Sequence, residues 1–154
     1  MNTVSTTMKK TDSNGNCIEI HNSSGFQVSV RGKRNDIRIN NSNPEAKVRI
    51  DIRGDGNIIH IGKCILKDFS LTIGSHQPVH GVHIRIGDHF SIEPGGAFEI
   101  FTDFAQVDIG ESCMFSRNIT LHFGDNPHLI FDKETGAYID GDGAVLIGKK
   151  GMGR

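Results

Sequence analysis

Hydrophobic residues recur in this chain at alternate positions. Ile18/Ile20, Val28/Val30, Ile37/Ile39, Val48/Ile50/Ile52, Ile59/Ile61, Leu71/Ile73, Ile84/Ile86, Val107/Ile109, Ile119/Leu121 and Val145/Ile147 all read apolar–polar–apolar. A period of two puts such side chains on one face of an extended segment, so the pattern predicts a series of short, half-buried strands.

A second regularity chooses between ways of arranging them. Five pairs run straight into glycine, at Ile61-Gly62, Ile73-Gly74, Ile86-Gly87, Ile109-Gly110 and Ile147-Gly148. From there a step of six holds: Ile86, Ile92, Phe98 and Phe104 make one ladder, and Ile109, Phe115 and Leu121 another. Ile61 and Ile73 are two steps apart, with Lys67 between them. The residue after a rung is small or acidic, as in Gly62, Asp68, Gly74, Gly87, Glu93, Glu99, Ala105 and Gly110. Each turn of an antiparallel meander resets its register, so hairpins give no reason for the step to persist. A parallel β-helix does. Its chain winds round a prism of three faces, each about six residues long, and one large aliphatic per face stacks on its equivalents in neighbouring coils.

Composition agrees. The 154 residues fit one domain, and 20 Ile and 8 Val stand against 5 Leu and 5 Ala. β-Branched side chains lose freedom in helices and suit pleated surfaces, which excludes an all-helical fold. The 17 basic and 18 acidic side chains leave a net charge of −1 without a basic stripe, which argues against a nucleic-acid partner. No apolar run approaches the ~20 residues of a membrane helix. The Ser/Thr/Asn-rich stretch 1–15 lacks the apolar segment of a signal peptide and is expected to be a flexible leader. Cys17, Cys64 and Cys113 are odd in number and lack metal-ligand spacing, so they read as reduced thiols in a cytoplasmic protein.

From Ile84 to Gly148 the sequence resembles the hexapeptide-repeat acyltransferases, whose fold is a left-handed parallel β-helix. The resemblance is carried by the six-residue ladder and by the stretch Ile109-Gly110-Glu111-Ser112-Cys113-Met114-Phe115-Ser116-Arg117-Asn118-Ile119-Thr120-Leu121. Asp125-Asn126-Pro127-His128, Phe131-Asp132-Lys133-Glu134-Thr135-Gly136 and Val145-Leu146-Ile147-Gly148 then follow in order. This is similar to the branch of sugar and polysaccharide O-acetyltransferases with a polar excursion around the histidine. It implies one all-β domain over 16–154: irregular N-terminal coils or a cap at 16–47, β-helix coils at 48–128, an excursion at 129–144, and an incomplete coil from 145 to 154.

The resemblance also implies a chemistry. A sugar hydroxyl is a poor nucleophile, and an imidazole titrating near neutrality can take its proton as it attacks a thioester. His128 stands where the family has that base. The family usually carries an acid two places earlier; here Asn126 occupies that position, with Asp125 one residue further back. Either Asn126 orients the ring in place of an acid, or an extra residue displaces Asp125. Gly148 and Lys149 match the start of the coenzyme groove. The expected activity is acetyl-CoA-dependent O-acetylation of a sugar, nucleotide-sugar or polysaccharide acceptor, in capsule or lipopolysaccharide synthesis, by a homotrimer with sites between prisms.

Two rival readings stand beside it. One is a non-catalytic or decayed β-helix scaffold. It draws on the chain's ending at Lys149-Lys150-Gly151-Met152-Gly153-Arg154, without the family's further coils or its Trp. On that ground the chain is expected to be truncated, with a partial acetyl-CoA site and impaired catalysis. The other is a zinc-dependent, carbonic-anhydrase-like trimer using His76, His80, His83, His89 and His122. Their spacing lacks the pair five apart that such sites use, so no metal is expected. His76 to Gly81 reads instead as an extruded turn, and Gly54-Asp55-Gly56 and Gly141-Asp142-Gly143 also read as turns.

Overall fold

The computed structural model describes residues 6–124 and, beyond them, the backbone of 130–131, 138–139 and 144–147. In chain order its strands are β1 (Thr7–Thr11), β2 (Cys17–His21), β3 (Phe26–Arg31), β4 (Asp36–Asn41), β5 (Lys47–Arg53), β6 (Ile58–Leu66), β7 (Asp68–Ile73) and β8 (His83–Ile86). There follow β9 (Phe90–Ile92), β10 (Gly96–Ile100), β11 (Gln106–Ile109), β12 (Met114–Phe115), β13 (Thr120–Phe123), β14 (Ile130–Phe131), β15 (Tyr138–Ile139) and β16 (Ala144–Ile147). There is no helix among the described residues.

The chain is a parallel β-helix of about five turns. One sheet runs β1-β2-β4-β6-β8-β11-β16, the second β13-β10-β7-β5-β3, and β9 and β12 build a third face against the end of β6. Every pairing within the stack is parallel except β1 on β2. The alternating pairs stack in register. Ile20, Ile39, Ile61, Ile86 and Ile109 form one inward column, and Val28, Ile50, Leu71, Phe98 and Leu121 form another. Most of these side chains are fully buried, each contributing roughly 1.5–3 kcal/mol through loss of water contact. Aromatic edges fill the wider coils: the rings of Phe69 and Phe98 meet at 5.0 Å, and those of Phe90 and Phe115 at 5.2 Å.

The six-residue ladder is present in two coils. Ile86 pairs with Ile109, Ile92 with Phe115 and Phe98 with Leu121, one rung on each face. Five of these six are buried, and Leu121 is half-buried against the core. Two expected rungs differ. Phe104 is 73% exposed, because after Phe98 the chain turns a corner and Ala105 and Val107 face inward instead. Lys67 is not a gap in the ladder: the rung is Leu66, paired with Ile92, and Lys67 bonds Glu93 at the turn. Residues 7–11, expected within a flexible leader, form β1, which covers the edge of β2 that would otherwise expose unpaired backbone groups. Upstream of residue 47 the coils keep parallel register without keeping the step of six.

One corner column demands left-handed backbone. Gly15, Arg34, Gly56, Gly81 and Phe104 have φ of 79°, 55°, 68°, 68° and 61°. The N–H of each later member donates to the preceding coil, as Gly81 does to Asp55 and Phe104 to His80. Just after this corner lies a buried amide ladder. Asn16 Oδ1 accepts the backbone and side-chain N–H of Asn35, and Asn35 Oδ1 accepts those of Asn57. Asp12 closes one end by accepting from Asn16, and Val82 N–H donates to Asn57 Oδ1 at the other. These paired amides satisfy backbone groups that the corner takes away from water.

Candidate functional site

The coils are not of equal length. Between β5 and β6 the corner takes residues 54–57, whereas between β7 and β8 it takes 74–82. Gly74, at φ 84°, turns the chain outward. Residues 75–78 are exposed, as expected of an extruded turn. The chain returns at Val79, whose N–H donates to Arg53 O at 2.9 Å and whose carbonyl accepts from the Asn57 amide at 3.1 Å. Arg53 Nη1 also donates to Ser75 O at 2.6 Å. The loop is therefore tied at both ends to the coil beneath it.

Between this loop and the next coils lies a cleft of about 580 Å³, walled by 75–79 and by Phe101, Asp103, His122 and Gly124. Phe101 and His122 come from the ends of β10 and β13. Their rings meet edge-on with centroids 5.5 Å apart. Glu99, opposite His122 in the β10–β13 register, brings Oε1 to 3.0 Å from His122 Nδ1. Asp103 Oδ1 accepts the His80 backbone N–H at 2.8 Å, which fixes the carboxylate at the corner. The lining combines an aromatic ring, a carboxylate and an imidazole backed by a second carboxylate. His76 adds a second imidazole, and among the described residues the lining holds no Lys or Arg.

The expected site residues Asp125, Asn126, His128, Gly148 and Lys149 lie outside the described residues. The structure describes Gly124, at the cleft rim, with φ 81°. Beyond it β14 pairs antiparallel with β15, and β16 returns to the stack with Val145 opposite Val107 and Ile147 opposite Ile109.

Two other histidines bond between coils. His80 Nδ1 accepts the Asp55 backbone N–H at 2.9 Å, which requires that nitrogen to be unprotonated. His60 Nε2 lies 3.1 Å from Asp36 Oδ2. Among the described residues no group of three or more His, Cys, Asp or Glu could hold a metal ion. The three cysteines are free. Burial pushes the Cys64 thiol up to about 12, so it packs as a small apolar side chain. Among the described residues no helix is long and apolar enough to cross a membrane.

The Glu99–His122 pair escaped sequence reasoning because its members are 23 residues apart. The signal was there in the ladder: Phe98 pairs with Leu121, so the residues that follow them must also be neighbours. No family model, no curated protein and no solved structure matches this chain.

Proposed function

We propose that the chain is an acetyl-CoA-dependent O-acetyltransferase acting on a sugar hydroxyl in surface-polysaccharide synthesis. The observation that carries this reading is the stacking of two six-residue-stepped coils, Ile86/Ile92/Phe98 on Ile109/Phe115/Leu121, directly before the Asp125-Asn126-Pro127-His128 segment. The cleft supports it. Gly124, which lines it, is four residues before His128 in the sequence.

In this reading His128 takes the proton of the acceptor hydroxyl as the oxygen attacks the thioester carbonyl. The carbon–sulfur bond then breaks, and coenzyme A leaves with the proton returned to its sulfur. Asn126 or Asp125 holds the imidazole. Asn126 does so by hydrogen bonding without charge, Asp125 with charge. Gly148 and Lys149 contribute to the coenzyme groove, and the working unit is a trimer.

The test is thiol release from acetyl-CoA with a panel of pyranosides. His128→Ala is expected to lower it at least ~10²-fold. Unchanged release removes His128 as base, and no release by the wild-type chain with any acceptor removes the reading.

A further inference from the structure

We infer that the cleft between the 75–79 loop and the ends of β10 and β13 is an acceptor-saccharide subsite. Phe101 is its platform, and Asp103 and His122 are its hydroxyl-binding groups. The assignment deepens the transferase reading and rests on it for the word acceptor; the binding of saccharide stands on the cleft itself.

Its size falls within the ~300–1,000 Å³ typical of small-ligand sites. Phe101 lies one residue beyond the Ile73–Ile100–Phe123 register, between Gly74 and Gly124, so the positions directly above and below it carry no side chain and its ring neighbour is His122, edge-on at 5.5 Å. Phe101 is half-buried and lines the cleft, and an aromatic ring there can stack its electron-rich face on the weakly positive C–H groups of a pyranose. Asp103 accepts hydrogen bonds from hydroxyls, and its orientation is fixed beforehand by the His80 N–H. His122 is held by Glu99, so its ring is also set before a ligand arrives. Among the described residues the lining holds no Lys or Arg and includes the Asp103 carboxylate, which favours a neutral ligand over the phosphates of a coenzyme or nucleotide. A neutral polyol with one apolar face fits this set of groups.

The experiment titrates the whole chain, without acetyl-CoA, with the methyl pyranosides of glucose, galactose and N-acetylglucosamine and with maltose and lactose, followed by NMR. Saturable binding of at least one sugar is expected, with Phe101→Ala weakening it about tenfold. His122→Gln and Asp103→Asn should each weaken it severalfold; the latter keeps an acceptor for His80 N–H and so keeps the corner. Circular dichroism checks each variant, and if Phe101→Ala does not fold the other two decide. Phe104→Ala, exposed and outside the cleft, should bind as wild type.

Absence of binding by every sugar overturns the subsite. So does wild-type affinity in folded His122→Gln and Asp103→Asn, or displacement of the sugar by ADP. Sugar binding without thiol release supports the subsite and overturns the transferase reading, so the two failures are distinguishable.

Discussion

Asn35 Oδ1 accepts two hydrogen bonds from Asn57, one from the backbone N–H at 2.9 Å and one from the side-chain amide at 3.0 Å. Asn35 also donates its own amide to Asn16 and to Gly54 O. Replacing it with Ala leaves two buried N–H groups of Asn57 and the Gly54 carbonyl without these partners. At ~1–3 kcal/mol for each unsatisfied group, Asn35→Ala should destabilise the chain by about 3 kcal/mol or more. Urea unfolding measures this, and a loss under about 1 kcal/mol would show the ladder to be dispensable.

The ladder's outer end should give it a pH dependence. Hydrogen bonds, first that from the Asn16 side chain, hold the Asp12 carboxyl below its ordinary value of 3.8. With the folded value depressed, the stabilising contribution is fully present above 3.8 and is lost as pH falls through the folded value. The difference in Tm between wild type and Asp12→Asn should be constant near neutrality and shrink only below that point.

Ile109 and Phe104 are five residues apart and should respond oppositely. Ile109→Ala removes a buried rung and should cost about 2–5 kcal/mol. Phe104 is largely exposed at φ 61°, a conformation that costs a residue with a Cβ ~1–2 kcal/mol. Phe104→Gly should therefore be more stable than Phe104→Ala. Denaturant midpoints of the three variants test both statements.

Cys64 should be chemically silent in the folded chain. Iodoacetamide near pH 8 should modify Cys17 and Cys113 ahead of Cys64, and all three after denaturation, as read by peptide mass spectrometry. Because burial raises the Cys64 thiol from 9.0 to about 12, its contribution to stability is complete below 9.0 and declines as the pH rises above it. Rapid native labelling of Cys64 at pH 8 would contradict the burial.

The sequence made the parallel stack legible where side chains repeat at fixed spacing. Ile86, Ile92 and Phe98 announce their neighbours because both coils there use steps of six. Leu66 was hidden because β6 reaches its rung one residue early and Lys67 occupied the counted place. Phe104 was counted inward because periodicity does not mark a corner. The amide ladder was also hidden, its members being 19 and 22 residues apart. Gly15-Asn16, Arg34-Asn35 and Gly56-Asn57, each followed two residues later by Ile, nevertheless share a local signature. Of the site, the sequence offered Asp125, Asn126, His128, Gly148 and Lys149, whereas the cleft depends on Glu99, Phe101, Asp103 and His122. A cleft assembled across coils of unequal length requires the pairing register before its members can be grouped.

Asn57 links these two parts of the molecule. As the last amide of the ladder it grips Val79 O with one side-chain atom and Val82 N–H with another, so it holds the foot of the 75–79 loop. The loop's stance is thus inherited from the coil below rather than written in its own tip. Ser75, His76 and Gln77 can be exchanged to alter what the cleft touches while the wall stays in place, which makes this corner a natural point for changing ligand preference on an unchanged frame.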